Sequence, residues 1–207
     1  MLVTDYQYFG NICFIELLYK EKQVCFDSHA SFTKMSFKNK MVILSAQGPL
    51  ALTIPIVGGR DQKTAINSIH IAYDAPWQAQ HFKALKTCYK RAPYFEYYEA
   101  DLEKLYTTKT EFLVEFLEAC HQFLQKAIKG KWELIQFKEY AQKIKEVESK
   151  KEIHPWQPNN YALFPIQHEY QQVFATDSGF IQNLSILDML FCVGGKEISK
   201  QLSENLD

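Results

Sequence analysis

The chain has 207 residues, 47% hydrophobic and 23% charged, with 23 basic residues against 24 acidic ones. That balance excludes a disordered chain, and it excludes a general nucleic-acid binder, whose affinity would need a basic excess to neutralise phosphates. The length allows one large core or two closely packed lobes, and the apolar content is enough to bury a large core, so one compact domain is expected.

Aromatic residues make up 14% of the chain, with 15 Phe and 12 Tyr, and the simplest reading is an aromatic-rich core. The five cysteines, Cys13, Cys25, Cys88, Cys120 and Cys192, are odd in number and contain no Cys-x-x-Cys. Reduced thiols in a cytoplasmic protein are expected, rather than a disulfide framework or a zinc ribbon. The opening MLVTDYQYFG lacks a basic region followed by an apolar run, so no signal peptide is expected. No segment approaches the roughly 18 apolar residues of a membrane-spanning helix, so no membrane partner is expected either.

In chain order, residues 2–8 read as a short strand, Phe9-Gly10-Asn11 as a turn, and Ile12, Ile15 and Leu18 as a helix face. Residues 24–27 read as a second strand. Residues 36–46 and 50–56, flanking Gln47-Gly48-Pro49, read as a β-hairpin. Ile69, Ile71 and Tyr73 alternate as in a further strand. Trp77, His81, Ala84, Leu85 and Cys88 share one face of a helix that stops before Pro93. Thr108-x-x-Glu111 is spaced as a capping box ahead of a stripe of Phe112, Leu113, Phe116, Cys120, Phe123, Leu124 and Ala127. Residues 132–137 read as one more strand.

Residues 138–153 are dense in charge and read as a solvated helix or a linker. Pro155, Pro158 and Pro165 then favour an extended, wrapping course. The last apolar run reads as a short helix capped by Asn183 or Ser185, with Ser185-x-x-Asp188 as a second capping-box match. The fold class expected is α/β, a mixed sheet with a β-hairpin packed against several helices. A core lobe over 1–137, a charged helix or linker over 138–153 and a C-terminal wrapping segment with its helix over 154–207 would form a single domain.

None of the six histidines pairs with another His, Cys or carboxylate at a metal-ligand spacing, and no glycine loop cradles a phosphate. Neither a metal nor a cofactor is expected. The opening strand–turn–helix lacks the histidines that doubly wound nucleotidyltransferases place there, so that chemistry is excluded. His81 lies on an apolar stripe between Trp77 and Leu85. It reads either as a core histidine bonded to backbone or a carboxylate, or as an imidazole at a cleft floor whose burial tunes its pKa. In HASFTKMSFKNK, strand alternation puts Phe37, Asn39, Met41 and Ile43 on one face and Lys38, Lys40, Val42 and Leu44 on the other. Asn39 must find partners there or cost about 1–3 kcal/mol. Lys38 and Lys40, with Lys34 nearby, either hold a phosphate or carboxylate or simply solvate a strand end. Asn183 and Asp188 read as capping residues.

The stretches YFGNICFIELL, HASFTKMSFKNKMVILSAQGPLALTIPI, WQAQHFKALKTCYKRAPYFEYYEADLEKLY, IHP and QVFATDSGFIQNLSILDMLFCVGG, in that order, resemble the bacterial WbqC-like protein family across residues 8–195. Two departures stand out. Phe37-Lys38-Asn39-Lys40 occupies the place where the family usually has Tyr or Trp followed by Arg-Asn-Arg, and Gly10-Asn11 the place of a turn proline. Lysine keeps the charge and loses the bidentate fork of arginine. The resemblance implies a link to surface-polysaccharide genes and transfer of an acyl or aminoacyl group to an amino sugar. It maps family positions onto Tyr8, Lys34, Lys38, Asn39, Lys40, Trp77, His81, Asn183 and Asp188.

The expectation that follows is a transferase acting on an anionic small molecule. His81 would be its general base, Lys34, Lys38, Asn39 and Lys40 would hold the anion, and Tyr8 and Trp77 would line the cleft. The alternative is a non-catalytic binding or assembly protein that uses the aromatic run Tyr94-Phe95-Glu96-Tyr97-Tyr98 as a partner surface. A pocket where His81 and the lysines converge would favour the first, and an exposed aromatic patch the second. The pattern leaves the oligomeric state open.

Overall fold

Leu2–Thr4, the first strand (β1), is apolar or small throughout and buried along its whole length. A strand with no solvent face has to lie inside a sheet covered on both sides, and this one does. In the computed structural model, which describes residues 1–59, 63–135, 150–151, 157–166, 169–174 and 179–204, β1 is flanked by β2 (Gln23–Phe26) and by β6 (Lys150–Lys151). Strand β5 (Glu133–Ile135) lies beyond β2, giving the order β5-β2-β1-β6 with every pairing parallel. Val3, Cys25 and Ile135 form a small apolar cluster on one face, while Leu2, Val24 and Phe26 join the main core on the other. Of the charged segment 138–153 only Lys150–Lys151 is described, and it runs as β6. The reading of the rest as a helix or linker lies outside the described residues.

Helix α1 (Ile12–Tyr19) connects β1 to β2 and begins at Asn11, whose side chain accepts from the Phe14 amide at 2.9 Å. Gly10 is needed there because a Cβ would sit 2.3 Å from the Phe14 ring. The hairpin forms as β3 (Lys40–Ser45) against β4 (Gly48–Thr53), with Ser45 opposite Gly48, so the turn is Ala46-Gln47. The strand starts at Lys40 rather than at residue 36. Met35 has a positive φ of 61°, and residues 36–39 turn before pairing begins.

Five more helices complete the described fold: α2 (Trp77–Tyr89), α3 (Phe95–Thr107), α4 (Leu113–Ala127), α5 (Ile186–Val193) and α6 (Gly195–Glu204). Parallel sheet, hairpin and helices make one compact α/β domain. Helix α3 takes in most of the aromatic run. Its spacing buries Phe95 and Tyr98 with Leu102 and Tyr106, leaving Tyr94 and Tyr97 outside. Helix α4 starts later than the Thr108-x-x-Glu111 spacing predicts. Residues 111–113 are first pinned to the 69–71 segment by Ile71 N–H to the Glu111 carbonyl (3.0 Å) and Leu113 N–H to the Ile69 carbonyl (2.8 Å). The Glu115 carboxylate then accepts from the Glu111 and Phe112 amides, both at 3.2 Å, and so Glu115 acts as the cap. The same pinning leaves Ile69 and Ile71 in a bridged segment rather than a regular strand.

The C-terminal segment is woven into this framework. Ser185 caps α5, accepting from the Leu187 amide. Asp188 does something different from the capping its spacing predicts. Its fully buried carboxylate accepts from Tyr89 Oη and Tyr170 Oη, each at 2.6 Å, and from Gln172 Nε2 at 3.1 Å. Burial pushes its pKa up, and the three donors oppose that shift. Because Tyr89 also accepts from the Leu44 amide, this one carboxylate joins α2, β3 and the 170–172 segment to α5. Replacing Asp188 by Leu strands these donors and should cost about 3 kcal/mol in urea denaturation. Asn, which keeps one acceptor, should cost less.

Candidate functional site

In open parallel sheets ligands gather beyond the carboxyl ends of the strands, where neighbouring connections part. Here β1 has β2 on one side and β6 on the other, so that point lies past Thr4. A cleft of about 380 Å³ opens there, and Tyr6, Ser28, His29, Asn67, Glu118 and His121 line it. Tyr6 follows β1, Ser28 and His29 follow β2, and Ile135 ends β5 on the same rim.

Helix α4 supplies the titratable wall. Glu118 and His121 are three residues apart and face the same side. Tyr6 Oη donates to Glu118 Oε1 at 2.9 Å, and the Tyr6 ring stacks on Phe26 at 4.5 Å. Burial first, and then the Glu118 charge beside it, push the Tyr6 hydroxyl far above its usual range, so it stays a donor. On the other side of the cleft, the Asp27 carboxylate accepts from the His29 amide at 3.0 Å and fixes the turn after β2.

His121 is held tightly and is 4% exposed, with its ring 4.4 Å from that of Phe26 and edge-on to Phe14. Burial pushes its imidazole down to about 4, and the Gln7 backbone carbonyl, which takes a ring N–H, pulls weakly the other way. The ring is therefore neutral near pH 7. Its Nε2 has no hydrogen-bond partner among the described residues. A buried nitrogen left unpaired costs about 1–3 kcal/mol and calls for a reason.

His81 has the same burial and the same downward shift to about 4, again from desolvation first. Its ring is occupied. Nδ1 lies 3.0 Å from Tyr8 Oη, and the Thr53 backbone carbonyl accepts from the ring as well. Tyr8 Oη is in turn 2.5 Å from Tyr106 Oη. Every group is satisfied if Tyr106 donates to Tyr8, Tyr8 to Nδ1 and the ring N–H to Thr53. Burial keeps both tyrosines protonated.

The lysines do not meet His81 in the cleft beyond β1, nor in a second cleft beside α2. Lys38 is buried, and its ammonium bonds the Ser31 carbonyl at 2.8 Å and pairs with Asp5 at 3.1 Å. It thereby ties the chain after β1 to the loop after β2, behind the cleft rim. Asn39 bonds the Ile54 carbonyl through Nδ2 at 2.8 Å, Lys40 is half-buried opposite Thr53, and Lys34 is exposed. Trp77 lines the second cleft. Asn183, with φ of 54°, accepts from the Cys13 amide and donates to the Tyr161 carbonyl. Reading the sequence alone does not single out His121, although the same signal was present: it sits between Leu117 and Leu124 on the α4 stripe, as His81 does on α2.

The model of the WbqC-like protein family matches residues 7–155, well over half of the chain. The chain belongs to the WbqC-like protein family. The stretch that defines this WbqC-like protein holds the α4 wall of the cleft and both post-strand segments from residue 7 onward. No curated protein and no solved structure matches the chain. Among the described residues no helix is long and apolar enough to cross a membrane.

Two buried neutral histidines set an acid limit. Both titrate near 4 in the fold against 6.5 ordinarily, so as pH falls the unfolded chain takes up protons first. Their contribution is intact above pH 6.5 and is lost between 6.5 and 4, by about 3 kcal/mol each at most. The midpoint of urea denaturation should fall through that window, and the slope should flatten in a His81→Gln, His121→Gln double variant. An unchanged slope would mean that the acid sensitivity lies elsewhere.

Proposed function

We propose that this WbqC-like protein is a small-molecule transferase whose chemistry takes place in the cleft beyond β1, on an amino-sugar acceptor and an acyl or aminoacyl donor. One observation carries the reading: a buried, neutral imidazole with Nε2 unengaged, beside a Tyr6–Glu118 pair, at the carboxyl edge of a parallel sheet. A volume of about 380 Å³ is within the range of small-molecule sites and has room for one sugar unit.

The roles follow from the groups. The free amine of the acceptor attacks the acyl carbon, the donor's carbonyl oxygen takes the electron pair, and the nitrogen becomes cationic. His121 Nε2 then accepts one proton from that nitrogen. A weak base suffices, because the N–H becomes far more acidic once the nitrogen has bonded to carbon. As the carbonyl re-forms, the donor's leaving group departs with its electron pair and receives the proton from the imidazolium. Glu118 and Asn67 offer hydrogen bonds to sugar hydroxyls, and Tyr6 holds Glu118 in place. Lys38 serves by position, fixing the loop that carries Ser28 and His29.

His121 is proposed as the base in preference to His81, whose ring already has acceptor and donor partners. The alternative of an aromatic partner surface has less support, since Phe95 and Tyr98 belong to the core. Calorimetric titration with a UDP-linked amino sugar tests the proposal. Binding should weaken about tenfold in Glu118→Gln, as expected for one lost charge-assisted hydrogen bond. In His121→Asn, acyl transfer to the sugar should fall by about 10²–10⁴ while binding changes little. Failure of every amino sugar and acyl donor to bind would overturn it.

A further inference from the structure

Strand β2 ends in a tight corner that lines the cleft beyond β1. The Asp27 amide still bonds the Thr4 carbonyl at 2.9 Å, and the Ala30 amide then turns back to the Asp27 carbonyl at 3.2 Å. That closure is a β-turn with Ser28 and His29 at its two corner positions. Neighbouring segments hold it in place. The Ser28 carbonyl accepts from the Asn67 amide at 3.1 Å, the Ala30 carbonyl from the Ile66 amide at 3.0 Å, and the Ser31 carbonyl from the Lys38 ammonium at 2.8 Å. With Asp27 Oδ1 on the His29 amide as well, the backbone of the corner is fixed in advance, as positioned chemistry requires.

The two corner side chains meet each other in the cleft lining. Ser28 Oγ lies 3.3 Å from His29 Nδ1. With the ring proton on Nε2, the hydroxyl donates and Nδ1 accepts, which is the relation of a nucleophile to its base. Such contacts commonly run long until a substrate closes on them. Ser28 is half-buried and His29 exposed, so the pair is open to an incoming molecule. Asn67, already bonded to Ser28 through its backbone, lines the same cleft. Its Oδ1 accepts from Ser68 Oγ at 3.1 Å, which makes Nδ2 the donor end. An amide N–H beside a hydroxyl nucleophile can meet the charge that develops on a carbonyl oxygen under attack. Nucleophile, base and oxyanion donor thus come from one turn and the residue hydrogen-bonded to it.

We infer that Ser28 is an acyl-accepting nucleophile, so that the acyl group of an activated ester or thioester passes through a Ser28 ester on its way to the acceptor. The inference deepens the transferase reading and rests on it for the acceptor. In the first half, Ser28 Oγ attacks the acyl carbon while His29 Nδ1 takes the hydroxyl proton. The carbonyl electron pair moves onto its oxygen, where Asn67 Nδ2 donates to it. As the carbonyl re-forms, the bond to the leaving group breaks, and that group departs with the electron pair and the proton from His29. In the second half the amine attacks the ester carbon and its proton passes to an imidazole of the cleft, His121 in the reading above. Ser28 Oγ leaves with the C–O pair, takes up that proton and is a hydroxyl again. The product is an amide, and nothing is oxidised or reduced.

Diisopropyl fluorophosphate tests the serine without any acceptor. Treatment of the full chain, followed by peptide mass mapping, should place one diisopropylphosphoryl group on Ser28 with loss of fluoride. His29→Gln should slow the labelling by about 10²–10⁴, and Asn67→Ala by about 10²–10³. Ser28→Ala should carry no label on that peptide. Since His29 is exposed and Ser28 half-buried, both of their variants should keep the parent's melting temperature. The inference is overturned if Ser28 of the parent stays unlabelled, or if His29→Gln is labelled as fast as the parent. Equal labelling of Asn67→Ala would overturn its role as oxyanion donor. Calorimetry with the UDP-linked amino sugar keeps the two readings apart. A labelled Ser28 in a chain that binds no amino sugar supports the nucleophile and sinks that acceptor. Binding of the sugar with Ser28 unlabelled sinks the nucleophile and leaves direct transfer.

Discussion

Residues 183–186 cross between the turn that starts α1 and the strand β3, and much of the architecture depends on that crossing. The Leu184 carbonyl accepts from the Ile12 amide at 3.1 Å, the Ile186 amide donates to the Gly10 carbonyl at 2.9 Å, and the Ser185 amide donates to the Val42 carbonyl at 2.8 Å. Ser185 Oγ closes the set by donating to the Phe9 carbonyl at 2.7 Å. These bonds satisfy backbone groups that a buried turn would otherwise leave unpaired. They also fix where Tyr6, Gln7 and Tyr8 leave β1, which decides what lies beyond the sheet edge. The last helix is seated as closely: a Cβ at Gly195 would fall 1.8 Å from the Ala127 carbonyl oxygen, so α6 begins against the end of α4 with only a glycine between them.

The two buried histidines show why burial and pKa by themselves do not identify a functional group. His81 and His121 are equally hidden and equally pushed down to about 4 by desolvation. They differ in their hydrogen-bond accounting. His81 closes a chain of tyrosine hydroxyls and a backbone carbonyl, so its polarity is used inside the fold. His121 belongs to the wall of the cleft, and its buried Nε2 has no partner among the described residues. In a low-dielectric setting an unused acceptor is strong towards an incoming donor and costly when none arrives.

Much of the fold was legible in the residues themselves. The periodicity of Trp77, His81, Leu85 and Cys88 gives α2, and the apolar runs around residues 41–44 and 50–54 give the hairpin. What was not legible depends on distant partners. Thr108-x-x-Glu111 has capping-box spacing, yet pairing with residues 69–71 moves the helix start to Leu113. Ser185-x-x-Asp188 has it too, yet three donors from Tyr89, Tyr170 and Gln172 draw Asp188 into the core. Helix α3 was hidden because it opens on the aromatic run Phe95-Glu96-Tyr97-Tyr98, which favours strand by propensity, although the Glu, Ala, Leu and Lys residues that follow favour helix and Phe95, Tyr98 and Leu102 bury one face of it. Lys38 looked like a surface cation because nothing in its neighbourhood announces Asp5, thirty-three positions earlier. The candidate cleft was the least legible, since Tyr6, Ser28, Asn67 and His121 share no local pattern and come from four separate segments of the chain.

The ring nitrogens of the histidines offer the most direct measurement. Long-range proton–nitrogen NMR resolves each imidazole of the folded chain before and after addition of a UDP-linked amino sugar. If the cleft beyond β1 is the functional site, His121 Nε2 shifts on binding as it gains its missing partner, while the His81 nitrogens keep their positions. Movement of His81 with a silent His121 would contradict that assignment and return the chemistry to the α2 face.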